Sequence, residues 1–392
     1  MTSYLTTLSA LFLMTSASAT ADVLQVPQDH PTIQAAVEAA HDGDEILIGP
    51  GVWYENLYVS KQLTITGSGQ GVTIIDGSQP ELYSFGSCLV VTGFFSKSDE
   101  PFRLQSLSLR NGFGAEIYGV VRGGGIYSEY AAVELNQVTI EDCDVEPQNP
   151  YDFMGWGGAI CNYGGEYVIN DSILRNNTSF TQGGAIMNAS GSIELNDTLI
   201  TNNTSDLEGG GIFSSSLGSS VVCIGTSICS NQSQNGGALC LLETGSLRLE
   251  NCRLNGNFAE DGAALYMDEA VSVITESVFE RNLADPDQAV IRIFDQPGMP
   301  DALFMEISDS RFCGADQGDW REFILEPSPN EFLETCGLAG DLDHDGAVSG
   351  TDLSILLSQW GGSGSQSSAD LNCDGTVSGP DLSVLLANWS SS

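Results

Sequence analysis

One recurring phrase limits what this chain can fold into. Gly123-Gly124-Gly125-Ile126-Tyr127 returns as Gly157-Gly158-Ala159-Ile160-Cys161, Gly183-Gly184-Ala185-Ile186-Met187 and Gly209-Gly210-Gly211-Ile212-Phe213. It returns again as Gly236-Gly237-Ala238-Leu239-Cys240 and Gly262-Ala263-Ala264-Leu265-Tyr266, so the successive intervals are 34, 26, 26, 27 and 26 residues. A second phrase, apolar-x-x-Asn, keeps nearly the same beat at Leu174 to Asn177, Ile200 to Asn203, Leu254 to Asn257 and Phe279 to Asn282. Cys229 and Gln232 stand in for it in the intervening copy, and Ala289-Val290-Ile291 reads as a worn seventh copy of the first phrase.

Between these phrases lie short alternating stretches such as Ser192-Ile193-Glu194-Leu195-Asn196 and Ser246-Leu247-Arg248-Leu249-Glu250. Apolar residues at every second position are the period of a strand. A repeat of about 26 residues holding short strands and glycine turns is what one coil of a parallel β-solenoid requires, because each coil buries its inward side chains only against its neighbours. Equivalent asparagines would then lie about 4.8 Å apart and form an amide ladder. The paired glycines fit tight turns or positive φ.

These phrases resemble the repeat of polymorphic outer-membrane proteins and related right-handed parallel β-helix proteins, over roughly residues 105 to 315. The N-terminal stretch, with Thr32-Ile33-Gln34-Ala35-Ala36-Val37-Glu38-Ala39-Ala40, Asp42-Gly43-Asp44 and Gly51-Val52-Trp53-Tyr54-Glu55-Asn56, is similar to the opening of pectin-lyase-like β-helices. Residues 31–40 read as a short amphipathic helix with Ile33, Ala36, Val37 and Ala40 on one face, placed to cap an edge that would otherwise pair with other chains. Residues 1–21 read as an export signal, with an apolar stretch from Leu5 to Met14 and small residues at Ala19-Thr20-Ala21. The expected organisation is an all-β solenoid over 22–326, a linker over 327–340 and a small helical unit over 341–392. No segment after the signal is apolar enough for long enough to span a bilayer.

Charge narrows the partners. Fifty-two acidic against twelve basic side chains leave a formal charge of −40, with Lys61 and Lys97 the only lysines. Nucleic acid, which demands a basic face, is excluded. The cation demand is concentrated near the C-terminus, where Asp341-x-Asp343-x-Asp345-Gly346 and Asp370-x-Asn372-x-Asp374-Gly375 recur 29 residues apart. Each opens a twelve-residue loop of the kind that holds Ca2+. Positions 1, 3 and 5 give hard oxygen donors, glycine at 6 allows the sharp turn, Ala347 and Thr376 offer carbonyls at 7, and Asp352 and Asp381 close the shell at 12. A helix follows each loop, with Leu353, Leu356, Leu357 and Trp360 in the first and Leu382, Leu385, Leu386 and Trp389 in the second, spaced to face each other. The tandem resembles a type I dockerin, a resemblance that implies Ca2+ binding and docking on a cohesin-like or cell-surface protein. Positions 10 and 11 are Gly350-Thr351 and Gly379-Pro380, where dockerins commonly carry a recognition pair.

For chemistry on the solenoid, two candidates stand out. Counting six residues back from each ladder position gives Asp171, Asp197, Thr226, Asn251 and Glu276 in one outward row. Asp171 and Asp197 would lie about 5 Å apart there, near the separation of a retaining glycosidase pair. The same row is also what an ordinary polar outer face looks like. The long interval before Gly157 carries Tyr151, Asp152, Phe153 and Trp156, able to stack on and hydrogen-bond a sugar. An insertion packing its own aromatics is the plainer reading. Arg122, Arg175, Arg248 and Arg253 read as surface partners of neighbouring acids. Ten cysteines permit disulfides whose connectivity the sequence leaves open, and buried small thiols are the equal alternative. The combined expectation is an exported, monomeric Ca2+-binding β-helix that binds an extracellular polysaccharide or protein and is tethered by its tail. The competing readings are a polysaccharide lyase or glycoside hydrolase on the same fold, and a passive surface-layer or adhesin component.

Overall fold

In the computed structural model, the described residues are 21–390 apart from 80–85, 94–99, 147–153, 244, 269, 286, 295–304, 315–323, 326, 335 and 363–366. The export-signal residues 1–20, and Tyr151, Asp152 and Phe153, lie outside them.

The repeat folds as a coil. Ser192–Asn196, Leu199–Thr201, Thr204–Ser205 and Ile212–Ser215 form one turn of chain. Each strand pairs in parallel with its counterpart about one repeat away, as Ile193 with Tyr167 and with Val221, and Ile212 with Ile186 and with Leu239. Three long sheets result, and the chain is a right-handed parallel β-helix. Among the described strands only Ala115–Ile117 and Val120–Arg122 pair antiparallel. Alternate side chains point inward and stack in columns, for example Ile160, Ile186, Ile212, Leu239, Leu265 and Ile291, all buried. Phe279, Phe312 and Phe332 close the far end as a stack with ring centroids 4.6 and 5.3 Å apart.

The corners are held by amides. Asn177 Nδ2 donates to Asn203 Oδ1 at 3.0 Å, Asn203 to Asn231 at 2.9 Å, Asn231 to Asn257 at 3.0 Å and Asn257 to Asn282 at 2.9 Å. Asn203 Nδ2 also donates to Leu174 O, and its Oδ1 accepts from the Asn177 backbone N–H, so the side chain continues the parallel ladder around the bend. The ladder runs through Asn231, not Cys229 or Gln232. The frame moves because the Ser190-Gly191 turn of one coil becomes Ser216-Leu217-Gly218-Ser219 in the next, looping outward with Leu217 82% exposed.

The first helix, α1 (Ile33–Ala39), caps the open end. Thr32 accepts from Ala35 N, and Ile33, Ala36 and Val37 are buried against the first coils. Gln34 exchanges hydrogen bonds with the Tyr58 backbone, and Lys61 Nζ donates to the carbonyls of Val37, Glu38 and Ala40 at the helix C-terminus, where a cation is favoured. At the other end, stacking continues past the expected boundary at 326. Glu331–Leu333 pairs in parallel with Arg311–Cys313, and a disulfide joins Cys313 to Cys336. The other eight cysteines are buried thiols.

The tail contains α2 (Gly350–Ser358) and α3 (Gly379–Ala387). Its core is Val348, Leu356, Ala369, Val377 and Leu385, with Leu353 and Leu382 partly buried. The expected helix faces hold only in part, because Leu357, Trp360, Leu386 and Trp389 are each 42 to 52% exposed. The two helices are a little over two turns long and meet around Leu356 and Leu385. The loop valines supply the rest of the contact, each clasped by the chain leaving the other helix: Gly361 N donates to Val377 O, and Ser390 N to Val348 O.

Candidate functional site: the calcium loops and the Arg122 face

Both tail loops are shaped for a cation. Asp341, Asp343 and Asp345 bring ligand oxygens within 4.8 Å of one another, as do Asp370, Asp374 and Asp381. Asp341 Oδ1 and Oδ2 accept from Asp345 N and Gly346 N, and Asp370 does the same from Asp374 N and Gly375 N, folding each loop around its first carboxylate. Gly346 and Gly375 take φ of 93° and 90°, as the sharp turn requires. Asp352 and Asp381 accept from Leu342 and Leu371 N and cap the following helix through Ser349 and Ser378 N. Burial works against ionising Asp352, but those backbone donors outweigh it and hold its pKa below the ordinary range. Burial pushes Asp370 upward, with repulsion from Asp381 and Asp374 adding to the shift, which is the electrostatic signature of carboxylates packed for a counter-cation. Asn372 Nδ2 donates to Asp374 Oδ2, leaving its amide oxygen directed at its own loop, where it accepts from Asp374 N. The donor set is oxygen throughout, with backbone carbonyls of Ala347 and Thr376 at position 7, and suits Ca2+.

On the solenoid, Asp171 and Asp197 are exposed corner residues with φ of 48° and 47°. Gly225, Asn251 and Glu276 occupy the same corner at 59°, 52° and 49°. The row is a left-handed turn that Asp and Asn tolerate well. Thr226 belongs one place on, fully buried, where its hydroxyl donates to Leu195 O.

The arginines divide. Arg175 pairs with Glu141, Arg248 with Glu250 and Arg253 with Glu280. Arg103, Arg110, Arg281, Arg292 and Arg311 also have carboxylate partners. Arg122 does not pair with an acid among the described residues, contrary to the sequence reading. Its guanidinium carbon lies 5.1 Å from the Trp156 ring centroid and 5.9 Å from that of Tyr127, and its Nε is buried without a hydrogen-bond partner. Arg122 and Trp156 are register neighbours because both immediately precede the glycine pair, a relation the repeat itself contained. Gln182, Glu208 and Asn235 continue that row. Beside it runs a buried outward column of Tyr127, Cys161, Met187, Phe213 and Cys240. Burial pushes the Cys161 thiol up to about 12, with the Arg122 charge opposing, so it stays a neutral wall of the face.

Strand pairing and loop geometry together define the class: a parallel β-helix followed by a tandem of EF-hand-like loops. Within it, residues 339–388 match the dockerin type I domain, and residues 197–215 match the Chlamydia polymorphic membrane protein repeat. No curated protein matches the chain. Among solved structures, it is similar to pectin methylesterase from carrot at 13% identity, covering 80% of this chain and 90% of that one with a TM-score of 0.37. It is also similar to a mannuronan C-5 epimerase A-module from Azotobacter vinelandii, at 12% identity, 77% and 93% coverage and a TM-score of 0.32. An exopolygalacturonase from Thermotoga maritima is similar at 10% identity, 74% and 84% coverage and a TM-score of 0.28. At such distances the activities belong to those proteins alone.

Proposed function

We propose that this protein is an extracellular binding protein in which a Ca2+-loaded, dockerin-type tail engages a cohesin-like partner while the β-helix presents a face for an acidic polysaccharide. The observation that carries the glycan reading is Arg122. In a chain of formal charge −40, every other described arginine has a carboxylate at hand, and this one lies against the Trp156 and Tyr127 rings instead. A guanidinium in that setting offers a fork to a sugar carboxylate and flat apolar surface to its ring. The overall negative charge opposes a polyanion at long range, but the Debye length is about 8 Å at physiological salt, so groups in direct contact decide the outcome.

The test is calorimetric titration of the full chain, with calcium present, against an oligogalacturonate and a neutral galacto-oligosaccharide. The acidic sugar is expected to bind and the neutral one to bind at least tenfold more weakly. Arg122→Ala should lose about tenfold or more, as removal of a charge-assisted hydrogen bond implies, and Arg122→Lys should keep part of the affinity. Equal affinity of wild type and Arg122→Ala would remove the basis of the reading. Release of new reducing ends or unsaturated products from the acidic sugar would replace binding with catalysis.

A further inference from the structure

The second calcium loop sits on the solenoid wall. Arg253 Nη1 donates to the carbonyl of Asp370 at 3.1 Å, and Cys373 is buried against Leu199, Cys229 and Ile173. Ile173, Leu199 and Cys229 belong to the short strands Ile173–Arg175, Leu199–Thr201 and Ser227–Cys229, and this contact covers them. Gly375 completes the fit, since a Cβ there would lie 3.0 Å from Leu199 Cδ2. The first loop is held off by a cleft of about 240 Å³ lined by Arg253, Glu280, Arg281, Asp341 and His344.

At the centre of the contact two thiols meet. Cys229 and Cys373 share one small buried cluster, and Asn255, the register partner of Cys229 in the next coil, donates its Nδ2 to Cys373 Sγ at 3.7 Å. Three of the other buried thiols donate to backbone carbonyls: Cys88 to Arg110 O, Cys143 to Glu141 O and Cys252 to Cys223 O. Cys229 and Cys373 make no such bond among the described residues, as is true of Cys161, Cys223 and Cys240, but this pair joins the solenoid to the tail. Cys373 also takes φ of 55° at position 4 of its loop, a conformation the chain adopts at His344 in the first loop as well, so its placement is fixed by the loop and not by the wall. Two surfaces from distant parts of the chain thus bring one thiol each to a single contact.

We propose that Cys229 and Cys373 are oxidised to a disulfide that fastens the second calcium loop to the outer wall of the β-helix. One S–S bond forms and two S–H bonds break. The two electrons and two protons pass to a disulfide oxidant such as glutathione disulfide, whose own S–S bond opens to two thiols. The bond forms as the loop docks, before the contact seals. This link is independent of any glycan or cohesin-like partner.

Full-length protein refolded with calcium in a glutathione redox buffer, then denatured with iodoacetamide and digested without reduction, should yield a Cys229–Cys373 cross-linked peptide. The alkylated cysteines should fall by two from the eight that are thiols in this structure. After chelation and limited proteolysis, the C-terminal hand should remain attached to the solenoid on a non-reducing gel and separate on reduction. Cys373→Ser should release it under both conditions and leave Cys229 alkylated. Recovery of both wild-type residues as alkylated thiols, or of either joined to a different cysteine, would overturn the proposal. The wild-type peptide map decides this even if a variant fails to fold.

Discussion

The ladder asparagines show how much one buried amide can hold. Truncating Asn203 to Ala would leave Leu174 O and the Asn177 backbone N–H without their partner in a site closed to water. It would also remove one of two bonds each from Asn177 Nδ2, which keeps Ile140 O, and Asn231 Oδ1, which keeps the Asn203 backbone N–H. Each buried group so orphaned costs about 1–3 kcal/mol, so a total loss of about 3 kcal/mol or more is expected. Asn196 makes a similar-looking bond to Asn170, but on the half-exposed outer face where water can substitute. Asn196→Ala should cost less than about 1 kcal/mol. Urea denaturation of the two variants distinguishes them, and equal midpoints would contradict the role given to the buried amides. The ladder was legible in the sequence from Asn177, Asn203, Asn257 and Asn282, because spacing alone aligns them. Asn231 escaped because the added turn at Ser216 to Ser219 lengthens that interval to 28 residues, and placing the phrase at Cys229 to Gln232 sets it one residue late although Ile228 to Asn231 carries it intact.

At the scale of the element, the glycine pair explains why the coils close up so tightly. The first glycine of each pair takes positive φ, as at Gly183 with 69°, whereas the second is constrained by the neighbouring coil. A Cβ on Gly184 would lie 2.2 Å from Gly210 O, backbone that cannot yield without disturbing the next coil. Gly184→Ala is therefore expected to cost about 3 kcal/mol, the upper range for overpacking. Gly256→Ala, at φ 63° with the Ser230 hydroxyl as nearest neighbour of the added Cβ at 3.8 Å, should cost only about 1–2 kcal/mol of backbone strain. Thermal melts that rank the two in the opposite order would reject coil-to-coil crowding as the cause. The sixth copy carries Ala263 at the corresponding position, next to the worn Ala289-Val290-Ile291 coil. Strands, turns and α1 were readable because period and burial coincide in them. The tail helices were less so, because the loop valines Val348 and Val377 take core places that helical spacing had given to Leu357, Trp360, Leu386 and Trp389. Arg122 was misread for a different reason: a positive charge on an acidic chain looks paired until its register neighbour Trp156 and the nearby Tyr127 are seen to be aromatic.

For the whole molecule, the two parts differ in what sustains them. The solenoid has a continuous column of buried side chains, while the tail relies on five buried residues and two carboxylate-lined loops. A unit that small generally needs a staple. Chelation should make 341–389 sensitive to protease within the time that the β-rich remainder stays intact, and calcium should restore protection. Identical digestion patterns with and without chelator would show that the loops do not depend on an ion.

The Cys313–Cys336 bridge also sets reach. The solenoid's last strand ends at Leu333, yet the covalent anchor point is Cys336, and Asp341 opens the first calcium loop only five positions later. Arg281 further pins the carbonyls of Gly337 and Leu338. The free leash is thus at most about 18 Å when fully stretched, at roughly 3.5 Å per residue. Whatever grips the tail would hold the long body close and in a nearly fixed heading, so neighbours on a shared scaffold would be spaced by rigid girders and not by arms that sweep the surrounding fluid.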